Sequence, residues 1–220
     1  MSDEPFFPFL MSIMPHLGKG TLMTVELTII SVGIGVLIGI FGGIARVSKR
    51  PLLFIPSTVY VEIIRGTPLL AQLFIVYFGL PSLGINLPPF TSAVIAMGIN
   101  SGAYVTEIFR GGIQSIERGQ MEAARSLGLS YLQAMRYIIL PQAFKRILPP
   151  LGNEFIAMLK DSSLASTIAI AELMRVGREI TSRTFRSFEV LAVVALMYLA
   201  ITLPLSLIVR YTERRMSVSD

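Results

Sequence analysis

The chain has 220 residues, 53% of them hydrophobic and only 15% charged, with a formal net charge of +5 and a mean hydropathy of +0.68. Apolar content this high excludes an ordinary soluble domain. The absence of cysteine and the single histidine, His16, exclude disulfide frameworks, Cys-rich metal sites and Cys/His nucleophilic chemistry.

At the start, Ser2-Asp3-Glu4-Pro5 is acidic where a secretory signal is basic, and Pro5, Pro8 and Pro15 break up the apolar residues that follow. Residues 6–17 therefore read as a short interfacial segment, separate from the first span. Three uncharged runs come next: 19 residues from Leu27 to Ala45, 41 from Gly66 to Thr106 and 20 from Val190 to Val209. About 20 apolar residues cross a bilayer as a helix. The 41-residue run is too long for one crossing and is cut by Gly79, Pro81, Gly84, Asn86, Pro88 and Pro89, a turn cluster. The pattern predicts an all-α integral membrane protein with five transmembrane helices near 21–45, 54–79, 91–116, 142–160 and 188–209. The fourth is the shortest and most polar.

Lysine and arginine resist translocation. With the N-terminus outside and the C-terminus cytoplasmic, 12 of the 19 basic residues fall on the inside. The positive net charge follows from that rule and calls for no nucleic-acid partner.

Ionisable groups inside a span are costly and are functional candidates by default. On span two, Glu62 and Arg65 are three apart on one face and can neutralise each other. Gly66-Thr67-Pro68 follows at once, and a helix broken inside the membrane bares polar backbone ends towards a cavity. Span three carries Asn100, Ser101, Tyr104 and Glu107. Glu107 and Arg110 read as an ion pair near the cytoplasmic end, while Asn100 and Ser101 lie deeper and suit a ligand.

The polar stretch from Glu117 to Gly128 falls on the cytoplasmic side. Helix formers fill Gln120 to Leu127, Gly128 punctuates, and Ser130 can cap a second helix running from Tyr131 to Leu140 and stopping at Pro141. Its apolar residues need cover, either from the protein's own span ends or from an external partner.

Span four places Glu154 and Asp161 seven apart, two helical turns, on one face. Two carboxylates there suit a guanidinium or ammonium ligand, unless Lys160 neutralises Asp161. Arg65, Thr67 or the free N–H groups of a broken helix could take an α-carboxylate. Residues 162–187 mix Arg175, Arg178, Arg183, Arg186, Glu172 and Glu179 with apolar residues and read as short amphipathic helices on the outer side, with their charges on a solvated face.

Glu122-Ala123-Ala124, then Gly128, Ile138 and Leu140-Pro141 at intervals of three, nine and one residues, resembles the EAA loop of ATP-binding-cassette importer permeases. Three further stretches are similar to polar amino-acid permeases: Glu62-Ile63-Ile64-Arg65-Gly66-Thr67-Pro68-Leu69-Leu70, Tyr104 to Ile113, and Leu159-Lys160-Asp161-Ser162-Ser163-Leu164. The likeness runs from about residue 18 to 212 and is closest to permeases for basic amino acids, glutamine and histidine. It implies a type I ABC importer permease fold, a single transmembrane domain over residues 1–220, in a bacterial inner membrane. It also implies a coupling loop over 117–141, with Gly119, Glu122, Ala123, Ala124 and Gly128 seated on cytoplasmic ATPase subunits, and an outer segment that closes the cavity and receives an extracytoplasmic amino-acid-binding protein.

The chain has no G-x-x-x-x-G-K-[ST] loop; its nearest fragment, Gly18-Lys19-Gly20, lacks the spacing and the hydroxyl. ATP and Mg2+ therefore belong to the partner, and this chain is a non-catalytic transport subunit. Five spans around an off-centre polar face need a second copy or a sister subunit to complete a pathway. The rivals are an ion-driven secondary transporter of amino acids, which predicts inverted repeats that this sequence lacks, and a membrane enzyme using Glu154 and Asp161, for which no nucleophile or metal constellation is present.

Overall fold

Proline and glycine set the element boundaries. The computed structural model describes residues 5–48 and 50–217; the acidic start Ser2–Glu4 and Lys49 lie outside the described residues. Helix α1 is Phe6–Val47, α2 Pro51–Arg65 and α3 Leu69–Phe74, the last extended by a π turn, Ile75–Gly79, and a 3-10 turn, Leu80–Leu83. Helix α4 is Pro89–Gln114, α5 Arg118–Ser126, α6 Tyr131–Ala134, α7 Leu140–Asp161, α8 Leu173–Thr184 and α9 Ser187–Ser217. There is no strand among the described residues.

Two expectations about proline need correction. Residues 6–17 are not a separate segment: α1 runs unbroken through Pro15. Its 42 residues supply enough flanking hydrogen bonds to absorb the one that proline removes. Nor does Pro141 end the cytoplasmic helix. A π turn at Met135–Ile139 carries α6 directly into α7. Both π turns among the described residues close two residues before a proline, Pro81 and Pro141, and the wider turn re-registers the backbone around the missing N–H.

Among the described residues, α1 and α9 are long and apolar enough to cross a membrane, and α2 with α3 would do so as one broken span. Helix α4 has the length, 26 residues, but Asn100 and its serines, threonines and glycines dilute its apolar character. Helix α7 carries Lys145, Arg146, Glu154, Lys160 and Asp161.

The chain forms two compact units. The first comprises Met1–Val32, Pro68–Gly98 and Phe155–Leu205, the second Gly33–Thr67, Ile99–Glu154 and Ser206–Asp220. In unit one, Phe9, Ile13 and Leu17 of α1 pack with Leu173 of α8 and Val190, Val193 and Val194 of α9. In unit two, Ile113 and Ile116 pack with Ile139, Ala143 and Ile147, and Met121, Met135 and Ile138 cover them. The polar loop is thus seated on the protein's own helix ends.

Unit two also contains a close helix contact. A Cβ on Gly39 would come within 2.3 Å of Val105 Cγ1 and 2.9 Å of the Val105 carbonyl carbon, and one on Gly42 within 2.2 Å of Thr106 Oγ1. Small residues let α1 and α4 approach backbone to backbone, the usual means of association where lipid removes the hydrophobic drive. Gly39→Leu should destabilise the folded protein by about 1–3 kcal/mol through overpacking. Gly33→Leu, whose Cβ would meet nothing within 4 Å, should change stability by less than about 0.5 kcal/mol. Thermal unfolding in detergent compares the two.

Candidate functional site

In unit two, Glu107 of α4 receives three guanidiniums. Arg46 of α1 donates from Nε at 3.0 Å, and Arg110, one turn on, donates from Nη2 at 2.7 Å. Arg65, the last residue of α2, lies 3.8 Å away. Arg46 also donates to Thr58 of α2 at 2.6 Å, and Arg110 to Gln114 at 2.6 Å. The Glu107 side chain is 15% exposed. The Glu107–Arg110 pair is the one the spacing predicts. Glu62, however, is not the partner of Arg65, whose guanidinium sits 5.0 Å over the Tyr104 ring and is 43% exposed. Three cations on one carboxylate leave the cluster positive, with Arg65 its loosest member.

Arg65 ends α2 because Gly66-Thr67-Pro68 follows: the Gly66 N–H closes on the Glu62 carbonyl at 2.9 Å, and Pro68 opens α3 in extended conformation. Thr67 is exposed and its hydroxyl donates to the Ile63 carbonyl at 2.9 Å. The predicted break is therefore present, with Arg65 and Thr67 at its edge. Asn100 and Ser101 are both buried. Ser101 faces α1, where a Cβ on Gly35 would meet it at 2.7 Å, so its hydroxyl is enclosed by helix packing. Glu154 is half-buried and Asp161 exposed, both on α7, and Lys160 makes no salt bridge with Asp161.

The loop between α4 and α7 is built as a rigid projection. Arg146 donates to the Ser115 carbonyl at 2.6 Å where α4 ends. Helix α5 closes with Gly128 at φ +86, a left-handed conformation that favours glycine. Ser130 then opens α6 with a reciprocal capping box, its hydroxyl accepting from the Gln133 N–H and Gln133 Oε1 accepting from the Ser130 N–H. Ala124 is buried, whereas Gly119, Glu122 and Ala123 are exposed. Leu127 is 83% and Leu132 77% exposed, flanked by the exposed rings of Tyr131 and Tyr137. The loop thus buries one apolar face on its own helices and leaves a second uncovered.

Unit one holds a residue that the sequence reading misplaces. Glu172, expected on a solvated polar face, is fully buried. It caps α8, accepting from the N–H groups of Met174 at 2.8 Å and Arg175 at 2.6 Å, and from the Tyr198 hydroxyl at 2.8 Å. Thr24 Oγ1 accepts from the adjacent Leu173 N–H at 3.1 Å. Glutamate is an uncommon cap, so spacing alone gave no signal. Burial raises the Glu172 carboxyl above its ordinary value, against the opposing pull of its hydrogen bonds.

The family described as "Binding-protein-dependent transport system inner membrane component" matches residues 35–218. The chain is 44% identical over 206 residues to the glutamine transport system permease protein GlnP of Escherichia coli (strain K12), covering 93% of this chain and 94% of that one. It is 44% identical over 207 residues to the L-cystine transport system permease protein TcyB of Bacillus subtilis (strain 168), covering 93% and 88%. A solved structure, "Crystal structure of an amino acid ABC transporter with histidines", superposes with a TM-score of 0.91 at 46% identity, covering 98% of this chain and 100% of that chain.

The Glu172 burial has a pH consequence. The folded protein holds that proton more tightly than the unfolded chain does, so stability should fall as pH rises from the ordinary value of 4.5 through the folded-state value. Glu172→Gln should flatten the dependence over this window. Unfolding midpoints across pH, with the wild type and this variant side by side, measure it.

Proposed function

The chain belongs to the binding-protein-dependent transport system inner membrane components, as an amino-acid ABC permease of the type I importer fold, and from that membership we propose how it is driven and what it carries. In our reading it imports polar amino acids, with basic ones as the preferred class, by alternating access powered by separate ATPase subunits. The observation that carries the coupling half is the uncovered apolar face of α5 and α6, with Leu127 and Leu132 outermost and Glu122 beside them. A rigid projection that leaves such a face bare suits docking into a groove of the ATPase, where ATP and Mg2+ are bound. Gly119, Glu122, Ala123, Ala124 and Gly128 shape it.

In this reading five spans cross the membrane, formed by α1, the broken pair α2 and α3, α4, α7 and α9, with the N-terminus outside. Residues 1–220 make one permease domain. A second permease subunit completes the pathway, and residues 162–187 receive the binding protein. The amino acid's cationic side chain meets Glu154 and Asp161 on α7, and its α-carboxylate meets the broken helix at Arg65 and Thr67, with Asn100 as a further polar contact. The loose hold of Glu107 on Arg65 supports that role. Glutamine is the second reading, favoured by the name and identity of GlnP; a carboxamide would also hydrogen-bond Glu154.

Reconstitution of the chain with its ATPase and binding protein in proteoliposomes tests both halves. Glu122→Arg should lower substrate-stimulated ATP hydrolysis about tenfold or more, as loss of an interface hot spot does, while substrate binding persists. Normal stimulation would refute the coupling assignment. In an uptake screen over the amino acids, Glu154→Gln should depress arginine, lysine and histidine uptake selectively. Unchanged uptake of these three would refute the cationic site.

A further inference from the structure

One face of unit two has no part in coupling or in amino-acid binding. The second half of α1 and the first half of α2 enclose an open groove of about 680 Å³, walled by Phe41, Ile44 and Ala45 on one side and Leu52, Leu53 and Pro56 on the other. The two hydroxyls in its wall are already satisfied: Ser57 donates to the Gly42 carbonyl at 3.1 Å and Tyr60 to the Ile99 carbonyl at 2.6 Å. What remains is apolar, with Phe41 73% and Leu52 84% exposed.

Apolar exposure alone is ordinary on a membrane helix. The charge carried by the loop that joins its two walls narrows the occupant. From Leu27 to Val61 the chain contains no acidic residue, yet Arg46, Lys49 and Arg50 lie together within that stretch. Arg46 is engaged by Glu107 and Thr58. Arg50 is exposed, and its guanidinium has no carboxylate partner among the described residues. Helix α2 begins directly after it, with no side-chain cap and no acidic residue in its first turn, so the positive end of the helix dipole adds to the same field.

An apolar slot between membrane helices, with an exposed cation in the loop that joins its walls, matches an amphiphile with an acyl chain and an anionic head. A polypeptide helix in the slot would satisfy the apolar walls and leave Arg50 without a counter-charge. We propose that the α1–α2 groove holds one anionic phospholipid, its chain lying along Phe41, Ile44 and Leu53 and its phosphate at Arg50.

Native mass spectrometry of the full chain in mild detergent, with phosphatidylglycerol and phosphatidylcholine supplied in equal amounts, tests this. The wild type should retain phosphatidylglycerol about fivefold over phosphatidylcholine, the preference expected of one cation near a membrane surface. Arg50→Glu, at an exposed position, should bring the ratio to parity or below, and Ala45→Trp, which fills the groove, should lower retention of both lipids. The proposal is overturned by equal retention in the wild type or by an unchanged preference in Arg50→Glu. It is equally overturned if a photo-cross-linking residue at Leu52 captures a second copy of the chain instead of lipid.

Discussion

Unit two is organised around one carboxylate. Glu107 is nearly enclosed and is met by guanidiniums from α1, α2 and α4. Charges removed from water must be paired, and loss of one member leaves the others stranded at a cost of about 3–5 kcal/mol for a fully buried pair. This constraint ties the end of α1 to α4 through Arg46, and α2 to both through Thr58 and Arg65. It also places the edge of the broken helix and the last turns of α4 in one electrostatic cluster. The α1–α4 glycine contact serves the same geometry, since only a close approach brings Arg46 within reach of Glu107.

From that cluster the chain leads directly to the projecting loop. Arg110 holds Gln114, Arg146 holds the Ser115 carbonyl, and Gly128 and Ser130 fix the corner between α5 and α6. The apolar residues of the loop divide between two duties. Met121, Met135 and Ile138 anchor it to the ends of α4 and α7, while Leu127 and Leu132 face outward. Packing against the protein's own helices is therefore compatible with the proposed docking to a partner, because a lever has to be anchored at one end to transmit force at the other.

Local signals were legible in the sequence. The Gly128 corner, the Ser130 cap, the break at Gly66-Thr67-Pro68 and the Glu107–Arg110 spacing all depend on residues close in the chain, and each predicts a local conformation that the structure adopts. Tertiary effects were not legible. Pro15 and Pro141 look like helix stops in sequence, because proline removes a hydrogen bond, but long flanking helix and a π turn outweigh that local penalty. Glu172 looks solvated in sequence because charged residues are interleaved around it, and the meeting of α8 with Thr24 and Tyr198 encloses it. In sequence Arg46 is one more inside cation; its reach to Glu107, 61 residues away, follows from helix packing and leaves no trace in spacing.

We propose that the motor engages the exposed face of α5 and α6. Because the chain contains no cysteine, Leu127→Cys provides a unique thiol on that face. Maleimide labelling of this variant should be fast for the permease alone and strongly suppressed in the assembled complex with its ATPase subunits. Equal labelling rates in the free permease and in a complex competent for ATP hydrolysis would contradict the account.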